Sequence, residues 1–188
     1  FTPGNMALDV VADIDEKRME AAVLKLAAKV FRDPILVSSE RMVVPFAGNE
    51  PFNRRVDKRN HEVNAVIGRL APSLYDKEKR FATILLNNIL GGPASNSMLN
   101  DLLRERNGWV YGVESIYSQY TEAGVLAVSL GCERNNLEKC LKAVWKVFGR
   151  LQDTPLSATR LKAAKKQLLG QLAISSDTGE TQCLSMGK

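Results

Sequence analysis

The chain has 188 residues, of which 45% are apolar and 25% charged, a globular balance that excludes an extended disordered chain and leaves room for one substantial core. Its 26 Lys and Arg outnumber 21 Asp and Glu, for a formal net charge of +5, and no apolar run approaches the roughly 20 residues needed to cross a bilayer. Cys132, Cys140 and Cys183 are odd in number and widely separated, so they define neither a C-x-x-C metal pair nor a disulfide framework.

Met6 to Ile14 is rich in Val and Leu and reads as a strand. Asp15 is placed to cap a helix in which Met19, Val23, Leu26, Ala27 and Val30 recur at three or four residues, to about Phe31. Asp33-Pro34 ends it. Residues 33 to about 59 carry Pro34, Pro45, Gly48 and Pro51 and no sustained periodicity beyond a short extended run over Met42 to Phe46. They read as a long connector within one domain. Its densest charge lies between Asn53 and Asn60, without interleaved aromatics, and reads as a solvated segment rather than a nucleic-acid patch.

His61 to Leu70 reads as the second long strand, with Val63, Ala65 and Ile67 on one face. His61 is the sole histidine, and Asn64 and Ala65 stand where an H-x-x-E-H motif would place Glu and His. A zinc site needs three or four protein ligands, so no metal site is expected in this chain. Asp76 opens a helix with Phe81, Ile84, Leu85, Ile89 and Leu90 on one stripe, and Gly91-Gly92 stops it.

A short amphipathic segment follows, with Met98, Leu99, Leu102 and Leu103 at helical spacing and Arg104 at its end. Asn107-Gly108 is a turn signal that rests on positive φ. Trp109 to Tyr117 reads as a strand in which Trp109, Tyr111 and Val113 share one face. It turns near Gln119 to Glu122 and returns as Gly124 to Gly131, an antiparallel hairpin whose Leu126, Val128 and Leu130 are expected to meet the helices. Leu137, Cys140, Leu141, Val144, Phe148 and Leu151 form the stripe of a further helix, with Cys140 as a small core residue. A last helix begins near Ser157 and carries Leu161, Ala164, Leu168, Leu169 and Leu172. After Ile174 the pattern fades. Consecutive strands in a hairpin with helices gathered together predict an α+β, two-layer domain: an antiparallel-rich sheet with helices on one face.

One stretch is more specific. Gly91-Gly92, with a serine soon after, leads into L-R-E-R-N-G-W-V-Y over residues 103–111. This resembles the L-R-x-x-x-G-x-x-Y segment of the pitrilysin and insulysin zinc peptidases, the insulinase-like family with the inverted zinc motif that includes mitochondrial processing peptidase. The resemblance implies the processing-peptidase/LuxS-like metallohydrolase fold, and it matches the carboxy-terminal partner domain rather than the zinc domain. It implies that residues 1–188 are a single partner domain of a longer protein, inactive alone. It carries two candidate site residues by position. Arg104 and Tyr111 are implied to contact the scissile peptide, with Tyr111 as a hydroxyl donor to the developing oxyanion and Arg104 as a charged donor to substrate carbonyls. No cofactor is expected here; zinc is expected in a homologous domain on the same or another chain. The implied partners are that domain and a peptide substrate, with neither nucleic acid nor membrane, for a protein expected to be soluble. Two alternatives remain: a structural or assembly domain of the same fold without catalysis, and, more remotely, a basic nucleic-acid-binding module resting on the +5 charge.

Overall fold

The structure is a computed structural model that describes residues 6–30, 48, 50–58 and 60–187. It divides into two compact units, one of residues 1–42 with 169–188 and one of residues 43–168. The expected extended run over Met42 to Phe46, and the Asp33-Pro34 stop, lie outside the described residues.

The larger unit is built on three antiparallel strands: β1 (Glu62–Ala71), β2 (Val110–Gln119) and β3 (Gly124–Glu133), in the order β1-β3-β2. The hairpin of β2 and β3 is local, and β1 adds to its far side with Ala65 opposite Leu130 and Ile67 opposite Val128. β3 is the centre, and its alternation decides which face is covered. Val128, Leu130 and Cys132 are all at most 2% exposed, as strict period two requires of the face that meets the helices. Val63, Ala65 and Ile67 of β1 are half-buried on the same side.

The covering layer consists of α2 (Lys77–Gly91), a short helix over residues 98–105 and α3 (Leu137–Asp153). Leu90, Leu99, Leu103, Cys140 and Val144 are at most 1% exposed and form one cluster with the inward residues of β2 and β3. Two helix starts have a local side-chain cause. The Asp76 carboxylate accepts from the Lys79 amide at 3.3 Å, and the Ser157 hydroxyl accepts from the Arg160 amide at 3.3 Å at the head of α4 (Ala158–Ser175). Gly108, at φ +59, supplies the left-handed turn after the short helix.

Gly91-Gly92 stops α2 as expected, and Gly92 follows in extended backbone, φ −63 and ψ 176. Glycine is required there by crowding, since a Cβ would lie 2.6 Å from the Asn88 carbonyl oxygen. Three expectations need correction. Phe81 leaves the core stripe and is 60% exposed, its ring covered by the Arg80 guanidinium at 4.8 Å. On α4, Leu169 and Leu172 are exposed. Tyr111 does not share a face with Val113, because the strand bulges at Tyr111, between Val110 and Gly112.

In the smaller unit, α1 (Glu16–Val30) begins where expected, with the Arg18 amide donating to the Asp15 carboxylate at 3.2 Å. Its half-buried stripe is Met19, Val23 and Ala27. Residues 6–12 form no strand. A β-propensity run needs a ladder partner, and here the Asp9 carbonyl is taken by the Cys183 thiol at 3.0 Å. Cys183 lies on α5 (Gly179–Met186), a helix the fading pattern did not predict. The Thr178 hydroxyl caps it by accepting from the Thr181 amide. Among the described residues no helix is long and apolar enough to cross a membrane.

Candidate functional site

The site forms where α2, the short helix and β2 converge. Gly91 lets the end of α2 approach β2 closely: a Cβ there would sit 2.8 Å from the Ser115 nitrogen and 2.9 Å from the Ser115 Cβ. The neighbouring Ser115 hydroxyl donates to the Asn87 side-chain oxygen at 2.6 Å. Asn100 then closes the loop after α2, donating to the Gly92 carbonyl at 3.3 Å and to the Ser97 hydroxyl at 2.9 Å. Asn88, Ser97, Asn100 and Ser115 are all at least nine-tenths buried. Among these, Asn100 bonds both Ser97 and the Gly92 carbonyl, and buried polar bonds of this kind fix backbone position more strictly than apolar packing does.

The short helix is not regular. Asn100–Glu105 is wound as a π-helix, a geometry that accommodates an extra residue in a turn and re-aims the side chains that follow. Arg104 emerges from it exposed. Its neighbours are spent elsewhere: Arg106 pairs with Asp101 at 2.7 Å, and the Asn107 amide donates to the Leu102 carbonyl at 2.7 Å. The Arg104 guanidinium forms no hydrogen bond or ion pair among the described residues.

Seven residues on, Tyr111 also sits at an irregularity. Val110 pairs with Cys132 and Gly112 with Gly131, so Tyr111 is the extra residue of a β-bulge. The bulge leaves Val110 and Val113 both buried and turns Tyr111 out, 58% exposed. Two irregularities, a π turn and a bulge, therefore present the two side chains. Both line one open cleft of about 790 Å³, with Glu62, Asn64, Asn87 and Glu114 among its other walls.

Carboxylates surround the phenol. Partial desolvation and the negative charges of Glu133 and Glu62 push the Tyr111 hydroxyl above the usual tyrosine pKa of 10.0. It therefore stays a neutral donor at every pH below that value. On the far side of Tyr111 a second hollow of about 600 Å³ is walled by His61, Glu133 and Arg134. Sequence reasoning singled out Arg104, Tyr111 and the glycine pair but missed Glu62, Glu133, Asn87 and Asn100. Their placement depends on strand register, which no local motif reports.

His61 stands just ahead of β1, where its carbonyl accepts from the Arg134 amide at 3.2 Å. Among the described residues no three His, Cys, Asp or Glu side chains converge as a metal site would need. The charged connector is tied down: Arg55 pairs with Glu138 at 3.0 Å and Asp57 with Arg134 at 2.7 Å.

A three-stranded antiparallel sheet covered on one face by helices defines the class, an α+β two-layer domain, with Arg104 and Tyr111 on one cleft. The family model of the Peptidase M16 inactive domain matches residues 1–168, and the chain belongs to that family, the carboxy-terminal, non-zinc domain of zinc-protease-like proteins. An uncharacterised zinc protease of Bacillus subtilis, YmxG, is 29% identical over 111 residues, covering 59% of this chain and 27% of that protein. An uncharacterised zinc protease of Rickettsia felis is 21% identical over 188 residues, covering all of this chain and 44% of its own length. The chain thus spans less than half the length of these relatives. Among solved structures, the peptidase M16 inactive domain from Pseudomonas fluorescens shares the fold at TM-score 0.67 and 22% identity, over 93% of this chain and 40% of that one. A protease from Helicobacter pylori does so at TM-score 0.73 and 17% identity, over 91% and 41%. A chain of complex III2 from Candida albicans does so at TM-score 0.71 and 15% identity, over 93% and 42%.

Proposed function

We propose that residues 1–188 act as one domain, the substrate-binding partner of a zinc-dependent endopeptidase whose metal is carried by a homologous domain on the same or another chain. The observation that carries the reading is the convergence of an uncommitted Arg104 guanidinium and a protonated Tyr111 hydroxyl on one cleft. When bound in the other domain, zinc polarises the scissile carbonyl and activates a water. This chain supplies the donors. Tyr111 offers its single proton to the oxygen on which charge develops, where a donor placed beforehand costs no reorganisation. Arg104 offers a planar fork of donors to the peptide carbonyls and holds the chain in register. The bonds of Asn100 to Ser97 and the Gly92 carbonyl, and of Ser115 to Asn87, hold the wall behind them.

The support for zinc in the parent is that the curated relatives are named zinc proteases. The second reading, an assembly domain without catalysis, is favoured by one observation, the shared fold with a chain of complex III2. Reconstitution separates the two. This chain alone should not cleave an unstructured peptide, and addition of the zinc-bearing half should produce cleavage that a chelator abolishes. A zinc-bearing half that cleaves equally well without this chain would refute the partner role.

A further inference from the structure

The outward face of α3 is not explained by the packing of the domain. Its inner stripe, Cys140, Val144 and Val147, is buried in the core. On the opposite side Lys139, Lys142, Lys146 and Arg150 are all exposed and follow one another at three or four residues, a single basic stripe about 16 Å long. Like charges at this spacing weaken a helix, and Lys139, in the first turn, also opposes the helix dipole. Only Arg150, in the last turn, is favoured by that dipole. The carboxylates of α3 stand at its two ends: Glu138 is taken by Arg55 at 3.0 Å, and Asp153 closes the helix. None of the four cations forms an ion pair among the described residues. The stripe costs the helix stability, and no ion pair within the domain offsets that cost.

Beside the stripe stands Trp145, 59% exposed. Its indole is held edge-on against Phe148, with ring centroids 5.6 Å apart at 84°, so it is oriented without being covered. A large ring already fixed in direction loses little freedom on binding, which suits Trp as an anchor in protein interfaces. One turn further on is Gly149, in the interior of the helix, where a Cβ would meet nothing within 4 Å. Glycine weakens a helix interior, and no neighbour among the described residues requires it there. It leaves a notch beside the indole, where a second backbone can approach α3 closely.

We propose that this outer face of α3 docks an acidic protein segment. The carboxylates of that segment pair with Lys139, Lys142 and Lys146, an apolar side chain packs on the Trp145 indole, and its backbone crosses at Gly149. Charge complementarity selects the occupant. The face carries four cations and the chain as a whole is at +5, which disfavours a second copy of the chain. A membrane surface fits less well, because the apolar stripe of α3 is spent on the core and Trp145 is its one large apolar side chain left exposed. Nucleic acid also fits less well, since a single aromatic offers no series of stacking platforms. The surface is independent of the reading given to Arg104 and Tyr111.

The test is fluorescence anisotropy with the full-length parent and a labelled helical peptide that carries a row of Glu flanked by Leu. A peptide with Gln in place of every Glu is the control. The acidic peptide should bind, and its binding should weaken as salt is raised. Trp145→Ala should weaken it about 10-fold or more, as loss of an interface anchor does. Lys142→Glu combined with Lys146→Glu should abolish it by like-charge repulsion. Gly149→Ala leaves charge and indole intact and fills the notch; it should weaken binding about 5-fold or more while raising the unfolding midpoint. Unchanged midpoints in the lysine and tryptophan variants separate a lost contact from a lost fold. Absence of binding, equal binding of the Gln peptide, or binding indifferent to any of these three changes overturns the proposal. So does Trp145-dependent binding to phosphatidylserine vesicles, or to a labelled single-stranded oligonucleotide, that is tighter than binding to the acidic peptide.

Discussion

Gly91→Ala is the sharpest perturbation of the architecture beneath the cleft. A new Cβ at the end of α2 would lie 2.8 Å from the Ser115 nitrogen, 2.9 Å from the Ser115 Cβ and 3.2 Å from the Glu114 carbonyl carbon. Ordinary van der Waals contact begins near 3.4 Å, so β2 must retreat by about 0.6 Å, and the atoms in the way are strand backbone rather than a flexible tip. Overpacking of this kind costs about 1–3 kcal/mol. Helix propensity returns about 1 kcal/mol on replacing glycine by alanine, leaving a net loss of about 0–2 kcal/mol. Gly149 in α3 provides the opposite case in the same fold. A Cβ there meets nothing within 4 Å, so Gly149→Ala should gain about 0.5–1 kcal/mol from the helix term alone. Urea unfolding followed by circular dichroism reads both as opposite shifts of the midpoint at constant slope. If Gly91→Ala raises the midpoint as Gly149→Ala does, the close approach of α2 to β2 is not what makes glycine necessary.

Other consequences follow from the same packing and electrostatics. Leu103→Ala, at a site with 0% exposure, should cost about 2–5 kcal/mol in the same unfolding assay. Burial first, and then the neighbouring Cys132, pushes the Cys140 thiol from 9.0 to about 11. Its folded pKa lies above the unfolded one, so the stability it contributes is complete below pH 9 and lost as pH rises through about 11. Mass mapping after mild alkylation at pH 8 should find Cys183 modified well before Cys132 and Cys140, which are fully buried. Arg104→Lys keeps the charge but loses the planar fork; in the active parent it should raise KM more than it lowers kcat.

The elements governed by local periodicity were legible in the sequence. The β2–β3 hairpin, the inward set Val128 and Leu130, the α3 stripe and the capping residues Asp15, Asp76 and Ser157 all follow from period and side-chain chemistry alone. What escaped depends on other segments. Met6–Ile14 has strand composition but no ladder beside it, and α5 carries its own cap without a strong apolar stripe. Parity along β2 was misread because one bulge at Tyr111 shifts every earlier residue to the opposite face. That same shift puts Tyr111 on the cleft beside Arg104, so the local rule fails at the candidate site itself. Glu62 and Glu133 were invisible for a related reason: 71 positions of chain separate them, and only the pairing of β1 with β3 makes them neighbours.

The central claim is that Tyr111 donates to the transition state of peptide hydrolysis in the parent enzyme. Its most direct test is steady-state kinetics of Tyr111→Phe in the zinc-active parent, with the unfolding midpoint checked to be unchanged. The substitution removes one hydroxyl and keeps the ring, so binding of the peptide is nearly preserved. The account predicts a fall in kcat of about 10²- to 10³-fold with little change in KM. A variant that retains full kcat/KM would contradict it, and Arg104 and Tyr111 would then be read as packing and helix-end chemistry in an assembly domain.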